Sequence, residues 1–354
     1  MAGAASLAIE SHGRVLVTGA TGFLGHSLVT ALAAAGYTVR ALVRESSDTR
    51  QLRDLGVELC VGDVREAASI NAAVEACDYV VHAAGLFRLW GDVRDFERTN
   101  VEGTAYVLEA ALRHSVKKLV HISTVAVAGN PEPGQVIDET TPSRPVDAYQ
   151  RSKVDGENLV RMYFQTARLP GVILRPGAFY GPWGRYAFNR LFFEEPLAGL
   201  LIQVHWGRRL TFPVFVPDVA RVIVAALASG RAGEVYTVSG DSLTHRRVNQ
   251  IVSRLAGIPG WRLNIPTGAM LALAGWLDRR AVRTGREPYY PPNLASYVFH
   301  DWQVSSAKAR RELGFVPTPF EEGARQTLGW YRGLGRWPGK GLAFAGAVGN
   351  HAEN

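Results

Sequence analysis

The sequence is poor in cysteine, with only Cys60 and Cys77 in 354 residues. Two cysteines are too few for the disulfide framework of a small secreted domain, so free thiols and a reducing, cytoplasmic location are expected. Residues 1–13 lack the basic start and the continuous apolar stretch of a secretory signal. The longest apolar helix candidate, residues 269–277, is too short to span a bilayer, so no transmembrane segment is expected.

Blocks of like charge are also lacking, although 39 lysines and arginines against 32 acidic residues give a formal net charge of +7. The basic residues are spread along the chain without the spacing of a nucleic-acid-binding motif, so no nucleic-acid partner is expected. A protein that binds a polyphosphate cofactor accounts for the surplus more simply. No metal site is expected. The 47% of apolar and 20% of charged residues are typical of globular proteins.

The first half of the sequence contains a regular alternation of short β-branched runs and helical periods. Six runs are predicted to be strands, at residues 14–18, 38–43, 57–61, 79–83, 118–123 and 172–174. Helical periods between them, such as residues 25–35 and 100–114, would place helices against the sheet. The alternation predicts an α/β fold built on a doubly wound parallel sheet, the Rossmann fold.

After residue 176 the pattern loosens, and helices are predicted near residues 219–229, 270–283 and 310–333, with a strand near 234–238. We therefore expect four parts in the chain, whose common order is from terminus to terminus. They are a flexible N-terminus at 1–13, a cofactor-binding Rossmann domain at 14–176, a smaller C-terminal α+β substrate-binding region at 177–334 with segments that return to the Rossmann core, and a mobile tail at 335–354.

A glycine-rich turn at residues 18–25 follows the first predicted strand and opens a helix. Gly19 permits the tight turn, Gly22 lets the backbone approach a pyrophosphate, and Gly25 allows the helix to pack closely on the strand. The N–H groups at the start of such a helix bind phosphate. The turn residues expected to contact a dinucleotide are Gly19, Thr21, Gly22, Phe23, Leu24 and Gly25.

Arg44 ends the second predicted strand, where NAD-selective proteins place a carboxylate on the ribose 2′-hydroxyl. Its planar guanidinium suits a 2′-phosphate, which favours NADP(H) over NAD(H). A solvated arginine at a strand end is the alternative, and it would leave the preference undecided. Asp63 follows the third strand and is expected to accept a hydrogen bond from the adenine amino group, or to cap a helix instead.

Small residues end the fourth predicted strand, where Ala83 and Ala84 would let the cofactor lie against the backbone. A tight exit from the strand is the alternative explanation. Val64 and Pro176, which also follow or end predicted strands, complete the expected cofactor contacts.

Tyr149 and Lys153 are four residues apart and so lie on the same face of a helix, one turn apart. A nearby cation lowers the pKa of a phenol, which would suit Tyr149 to act as a general acid or base. Ser123 and Thr124 end another strand, and one of their hydroxyls would hydrogen-bond a substrate oxygen beside Tyr149. Simple capping of the strand end is the alternative for both.

These residues together resemble the extended short-chain dehydrogenase/reductase family, of the NAD-dependent epimerase/dehydratase type. The resemblance covers about residues 13–330 and rests on Gly19 to Gly25, Asp63, Asn100, the Ser123-Thr124 run, Tyr149, Lys153 and Arg175-Pro176. It implies a Rossmann fold, hydride transfer between nicotinamide and a substrate carbon, and frequent dimerisation through two long helices, so a homodimer is one expectation.

The resemblance also implies individual roles. The active hydroxyl would be that of Thr124, although Ser123 stays a candidate. Lys153 would bind the nicotinamide ribose as well as assist Tyr149. Asn100 would order its helix and a proton-relay water near Lys153, or be purely structural.

Two departures from the patterns within this family narrow the function. Val125 and Ala126 stand where dehydratases carry an acidic pair, which argues against sugar dehydration. Ala178 and Thr211 stand where sugar-nucleotide enzymes usually carry Asn and Arg, although Arg208 and Arg209 keep a phosphate-bearing substrate open. Within the family the chain looks most like the group of dihydroflavonol reductases, 3β-hydroxysteroid dehydrogenases and hopanoid-associated epimerase-like proteins.

Aromatic and apolar residues dominate the segments expected to border the substrate, although many of them would also suit a core. The candidates are Leu86, Trp90, Phe179, Tyr180 and Trp183. The sequence thus predicts an NADP(H)-dependent oxidoreductase acting on an apolar small molecule such as a sterol, terpenoid or aromatic ketone. One alternative is a sugar or sugar-nucleotide epimerase with tightly held cofactor. A dinucleotide-sensing regulator without catalysis is the other.

The predicted helix at residues 270–283 is amphipathic, with arginines beside its apolar residues. Arg279, Arg280 and Arg283 flank Leu273 and Trp276. This arrangement suits peripheral contact with a membrane surface. A lid over the substrate is the commoner explanation.

Overall fold

The structure, a computed structural model, describes residues 12–336. Its strands are short and follow one another through the whole of this range. In chain order they are β1 Arg14–Thr18, β2 Thr38–Val43, β3 Glu58–Val61, β4 Tyr79–His82, β5 Lys118–Ile122, β6 Val136–Ile137, β7 Gly171–Pro176, β8 Ala178–Tyr180, β9 Ile202–Val204, β10 Leu210–Thr211, β11 Pro213–Phe215, β12 Val235–Val238, β13 Leu243–Thr244, β14 Leu263–Ile265 and β15 Gln303–Val304.

The helices vary more in length than the strands. In chain order they are α1 Phe23–Ala34, α2 Arg50–Asp54, α3 Ala67–Val74, α4 Val93–Phe96, α5 Gly103–Arg113, α6 Ala148–Thr166, α7 Glu195–Leu197, α8 Val216–Ser229, α9 His245–Ala256, α10 Thr267–Thr284, α11 Ala295–Val298, α12 Ala307–Leu313 and α13 Phe320–Gly333. Two π-helical turns, Glu97–Glu102 and Arg190–Glu194, lead into α5 and α7.

Seven strands form one sheet in the order β12-β7-β5-β4-β1-β2-β3, and every pair in it is parallel. The winding of the chain reverses between β1 and β4, so the loops that leave these two strands part in opposite directions. Such a reversal leaves a crevice at the carboxyl ends of the strands, where ligands of this architecture bind. The predicted doubly wound Rossmann fold is confirmed.

Both faces of the sheet are covered because alternate residues of its strands are apolar on opposite sides. In β1, Val15 and Val17 join the core cluster that includes residues of α1 and α8. Leu16 points to the other face and joins the cluster that includes residues of α3 and α5. All three valine and leucine side chains are fully buried.

The C-terminal region has a separate aromatic core and four small strand pairs. Tyr180, Phe193 and Tyr331 are buried in this core. One segment returns to the large sheet, because β12 pairs with β7 as the seventh strand. No helix among the described residues is long and apolar enough to cross a membrane.

One predicted helix is wrong. The segment at residues 310–333 is two helices, α12 and α13, since Gly314 ends the first in a left-handed conformation with a φ of 62° and Pro319 precedes the second. The other predicted elements are present with ends displaced by a few residues. The expected flexible N-terminus at 1–13 and mobile tail at 335–354 lie outside the described residues, apart from residues 12, 13, 335 and 336.

Candidate active site

The carboxyl ends of β1 and β4 lie in direct contact. The backbone N–H of Ala84 donates to the hydroxyl of Thr18 at 3.1 Å. Gly19 follows with a φ of +74°, and a Cβ built on it would lie 2.8 Å from the Ala84 nitrogen and 2.9 Å from the Ala83 carbonyl oxygen. Only glycine fits this turn, since both its φ and its surroundings exclude a side chain.

The start of α1 fits the pyrophosphate of a dinucleotide. A Cβ on Gly25 would lie 2.2 Å from the carbonyl oxygen of Ala20, so the helix packs against the turn as closely as a glycine allows. Gly22 is the N-cap residue, and no side-chain cap or acidic residue occupies the first turn. The first N–H groups of α1 are therefore available to an anion. Thr21 and Phe23 are half-buried beside them, and Leu24 is buried in the core.

Two arginines converge at the outer end of the crevice. Asp63 accepts hydrogen bonds from the guanidinium of Arg65 at 3.0 and 2.7 Å and from its backbone N–H at 2.9 Å. The bond from Arg65 is the main reason that the pKa of Asp63 is lowered, and the charge of Arg44 adds to the effect. Arg65, which the sequence patterns did not single out, thus accompanies Arg44. Val64 between them is buried and packs under Gly103.

Tyr149 lies in the first turn of α6, and a hydrogen bond joins its phenol to the hydroxyl of Thr124. The N-cap residue Asp147 fixes this turn by accepting from the Gln150 N–H at 2.7 Å. Thr124 is held in turn, since its Oγ1 accepts from the N–H of Ala126 at 3.1 Å. Of the two hydroxyl candidates, the structure therefore brings Thr124 to Tyr149.

Lys153 is buried one turn further along α6, and its Nζ donates to the carbonyl of Ile122 at 2.7 Å. Burial lowers the pKa of Lys153 to about 8, against the opposing effect of the Glu157 carboxylate. The expectation that Lys153 lowers the pKa of Tyr149 is wrong in this structure. Burial raises that pKa well above its usual value, because the surroundings of the phenol disfavour phenolate more than the Thr124 hydrogen bond favours it.

Ser123 points away from Tyr149 into a buried charge pair. Its hydroxyl donates to Glu157 at 2.8 Å, and the same carboxylate accepts from the Arg175 guanidinium at 3.1 and 2.6 Å. Glu157 was missed in the sequence, although it lies four residues after Lys153 on the same face of α6. The pair fixes the end of β5, and with it the position of Thr124, to the helix that carries Tyr149.

Asn100 joins three segments around the site. Its Oδ1 accepts from the N–H of Leu86 at 2.7 Å, and its Nδ2 donates to the Leu86 carbonyl at 3.0 Å and to the Ser152 hydroxyl at 2.9 Å. A Cβ on Gly85 would lie 3.3 Å from the Asn100 Oδ1 and 3.8 Å from the Lys153 Nζ. Asn100 thus holds the loop after β4 against α6, next to Lys153.

Aromatic rings surround the exposed side of Tyr149. The centroid of the Phe87 ring lies 4.8 Å from that of Tyr149, and Phe96 lies 6.4 Å away. Tyr186 continues this wall at 5.6 Å from Phe87, and its hydroxyl accepts from the Leu89 N–H at 3.0 Å. None of the three was a sequence candidate, because each comes from a different segment without a motif of its own.

The five predicted substrate residues are divided among different surroundings. Leu86 and Trp90 lie in the loop beside the site, and Trp90 donates to Asp278 of α10 at 3.1 Å. Phe179 packs on Phe23, with centroids 6.1 Å apart, and Trp183 stacks on His26 of α1 at 4.5 Å, so both flank the glycine-rich turn. Tyr180 is fully buried in the aromatic core. Pro176 is buried at the end of β7.

A cavity of about 100 Å³ lies beneath α10 in the C-terminal region. Its walls are mainly apolar and include Phe192, Val204, Met270, Ala274, Val298 and Phe299. Glu195 also lines it and is 5% exposed; its Oε2 accepts from the Tyr290 hydroxyl at 3.2 Å, while Oε1 has no hydrogen-bond partner in residues 12–336. Burial raises the pKa of Glu195 to about 7.

Rings and backbone contacts connect Tyr149 with this cavity. Arg190 lies over the ring of Tyr186 at 5.5 Å and over that of Tyr289 at 4.9 Å. Tyr289 is in contact with Tyr290, which lines the cavity. Asn293, in the same segment, donates to the Leu89 carbonyl at 3.0 Å. The cleft at Tyr149 and the cavity therefore share one wall.

Comparisons with known proteins agree with this geometry. A sequence profile of the NAD dependent epimerase/dehydratase family matches residues 15–239. Sterol demethylase protein B of Methylococcus capsulatus is 33% identical over 338 residues, which cover 90% of this chain and 98% of that protein. A 4-hydroxy-2-methyl-3-oxo-4-farnesyl-3,4-dihydroquinoline-1-oxide ketoreductase of Stigmatella aurantiaca is 32% identical over 86% of this chain and 92% of its own length.

Among solved structures, a similar one is DesIV, the dTDP-glucose 4,6-dehydratase of Streptomyces venezuelae with NAD and TYD bound. It is 27% identical with a TM-score of 0.75, and the match covers 92% of this chain and 98% of that one. The similarity therefore includes both the large sheet and the C-terminal region.

Proposed function

The chain belongs to the NAD dependent epimerase/dehydratase family of oxidoreductases, and from that premise we propose that it transfers a hydride between NADP(H) and the carbonyl or hydroxyl carbon of an apolar substrate. The observation that carries this proposal is the position of the Tyr149–Thr124 pair, which lies in an aromatic cleft sharing a wall with the apolar cavity. A proton donor in apolar surroundings suits the reduction of an apolar ketone.

Tyr149 is the proton donor for the substrate oxygen. Its raised pKa keeps the phenol protonated at neutral pH, so it is ready to donate as the oxygen gains negative charge. Thr124 hydrogen-bonds the same oxygen and orients it. Lys153, protonated below pH 8, places a positive charge near the site that favours the phenolate left after transfer. The bound nicotinamide supplies the hydride in the reductive direction.

The cofactor lies along the crevice between β1 and β4. The start of α1 holds the pyrophosphate, and Ala83, Ala84 and Pro176 border the nicotinamide half. Arg44, with Arg65 as a second cation, receives the ribose 2′-phosphate, which supports NADP(H) rather than NAD(H). In this reading residues 14–176 form the cofactor domain and most of 177–334 holds the substrate.

The class of substrate follows from the C-terminal region. The cavity offers a hydrocarbon body contacts with Phe192, Val204 and Met270, and it has no arginine in its lining to receive a diphosphate. Arg209 is engaged by Asp301 at 2.7 Å. The names of two relatives, which refer to a sterol and to a farnesyl-bearing ketone, agree with an apolar substrate. We therefore favour a sterol, terpenoid or aromatic ketone over a sugar nucleotide.

The proposal is tested by following the oxidation of NADPH and NADH with apolar ketones and with sugar nucleotides. We expect net oxidation of NADPH by an apolar ketone, and little by a sugar nucleotide. Interconversion of a sugar nucleotide without net oxidation would replace the proposal with an epimerase. Binding of NADPH without turnover of any substrate would instead identify a dinucleotide sensor.

A further inference from the structure

Helix α10 is exposed to an unusual degree for its sequence. Of its 18 residues, all of them described, only Ala274 and Ala281 are buried. By contrast, the 14 residues of α8 include eight buried ones. Large apolar side chains of α10 remain open to solvent, with Leu273 41% and Trp276 51% exposed. The helix therefore does not bury its apolar residues within the described part of the chain.

The two faces of α10 have different surroundings. Met270, Leu271 and Ala274 line the apolar cavity, and Asp278 accepts a hydrogen bond from Trp90, which ties this face to the loop after β4. Leu271 is nevertheless 47% exposed, so it stands at the edge where the cavity wall meets solvent. The helix is thus a thin wall between the cavity and its own outer face.

The outer face is defined by residues spaced three and four apart, which lie along one side of a helix. They are Ala269, Leu273, Trp276, Arg280 and Arg283. Apolar residues occupy the first half of this face and cations the second. Arg280 and Arg283 are exposed and have no hydrogen bond or ion pair among residues 12–336, and the same holds for neighbouring Arg279.

Further aromatic side chains surround the beginning of α10. Trp261 and Leu263, in the segment that leads into the helix, are 66% and 59% exposed. Trp206 is 58% exposed, and its N–H donates to Asn264 of the same segment at 2.7 Å. His205 is joined to Thr267, the first residue of α10, by a hydrogen bond of 3.2 Å. The outer face therefore continues into a rim of exposed tryptophans.

We propose that the outer face of α10, with its tryptophan rim, docks on an anionic lipid bilayer. Tryptophan prefers the interface between hydrocarbon and water, and leucine inserts below it. Unpaired arginines are attracted to anionic headgroups while their stems lie along the apolar layer. Docking would place the Leu271 edge of the cavity at the membrane surface. Uptake of an apolar substrate from the bilayer then rests on the proposed function, whereas docking itself does not.

A second copy of the chain fits this surface less well. A two-fold contact through α10 would bring Arg279, Arg280 and Arg283 of both copies together. No carboxylate on the outer face is available to compensate them, because Asp278 faces inward to Trp90. A bilayer that carries anionic lipids supplies this compensation and also dissolves the class of molecule that the cavity suits.

The test is co-sedimentation of the full chain with vesicles, either of phosphatidylcholine alone or of phosphatidylcholine mixed with phosphatidylglycerol. We expect binding to the mixed vesicles that weakens at high salt, and at least about tenfold weaker binding for Leu273→Ser/Trp276→Ser and for Arg280→Glu/Arg283→Glu. The control variant Val316→Ser/Arg311→Glu carries similar changes on a distant exposed surface and should bind as the unaltered chain does.

Two further readouts complete the test. Turnover of a water-soluble ketone should be the same in the α10 variants and the unaltered chain, which shows that they are folded. The unaltered chain remaining with the supernatant, equal binding by all variants, or a lipid-free dimer that the α10 substitutions dissociate would each overturn the proposal. Vesicle binding by a chain that turns over no ketone would leave docking intact and refute the proposed function.

Discussion

The cofactor crevice and the substrate cavity are built in different ways. The crevice is formed by backbone and by short side chains at the ends of successive strands, and Gly19, Ala83 and Ala84 meet there because parallel strands end at one edge. The cavity is formed by side chains from segments between residues 191 and 299. The crevice is therefore constrained by the fold itself, whereas the cavity is free to vary with the substrate.

The largest expected effect concerns the residue at which the two regions meet. Replacing Tyr149 by Phe removes the proton donor but keeps the ring that packs on Phe87, so kcat should fall about a thousandfold while the affinity for NADPH stays unchanged. Stopped-flow turnover and fluorescence titration measure the two quantities. Tyr163→Phe, on the same helix, should have no effect. An unaltered kcat for Tyr149→Phe would show that the proton comes from elsewhere.

Lys153 should reveal a conflict between function and stability. Its burial lowers its pKa from 10.5 to about 8, and each unit is worth about 1.4 kcal/mol of lost stability at neutral pH. Lys153→Met should therefore abolish turnover yet raise the free energy of unfolding by roughly 2 kcal/mol at pH 7.

The pH dependence of unfolding checks the sign of this effect. Between pH 8 and 10.5 the unfolded chain binds more protons at Lys153 than the folded chain, so stability of the unaltered protein should rise with pH across this window. The rise should be absent in Lys153→Met. Denaturant titrations that show the variant to be less stable at pH 7 would contradict the assignment.

Arg44 tests the cofactor half of the comparison. Removal of its guanidinium should raise the KM for NADPH by about tenfold to thirtyfold and leave that for NADH unchanged, because only the 2′-phosphate loses a charged partner. Arg53→Ala, an exposed arginine of the neighbouring helix α2, is the matched control. Equal effects on both cofactors would assign Arg44 to a structural role.

Glu195 tests the substrate half and should give the smallest effect. Its pKa is raised from 4.5 to about 7, so the folded chain holds this proton more tightly and loses stability as the pH rises through that window. Glu195→Gln should be more stable than the unaltered chain by about 1–2 kcal/mol at pH 8, and about equal at pH 4. A constant difference at both values would place the carboxylate in water.

The sequence predicted the crevice better than the cavity for a physical reason. The spacing of Gly19, Gly22 and Gly25 and that of Tyr149 and Lys153 are local, and each position permits few alternatives. Phe87, Tyr186 and Glu195 carry no such spacing, since each is brought to the site by long-range packing. The pKa of Tyr149 was predicted in the wrong direction because burial is not visible in the sequence.

The choice between Ser123 and Thr124 shows the same limit. Both hydroxyls end β5, and only the tertiary contact of Ser123 with Glu157 separates their roles. Arg65 was similarly missed beside Asp63, although the hydrogen bond between them spans only two residues. Local patterns identified the segments, and packing decided which side chains face the cleft.

The most direct test of the proposed chemistry is a series of ketones of increasing apolar length, assayed with NADPH in the unaltered chain and in Ala274→Trp, which fills the cavity beneath α10. We expect kcat/KM to rise with length in the unaltered chain, and Ala274→Trp to lose this rise while reducing the shortest ketone normally. A value of kcat/KM that does not depend on length, or turnover of sugar nucleotides alone, would contradict an oxidoreductase of apolar substrates.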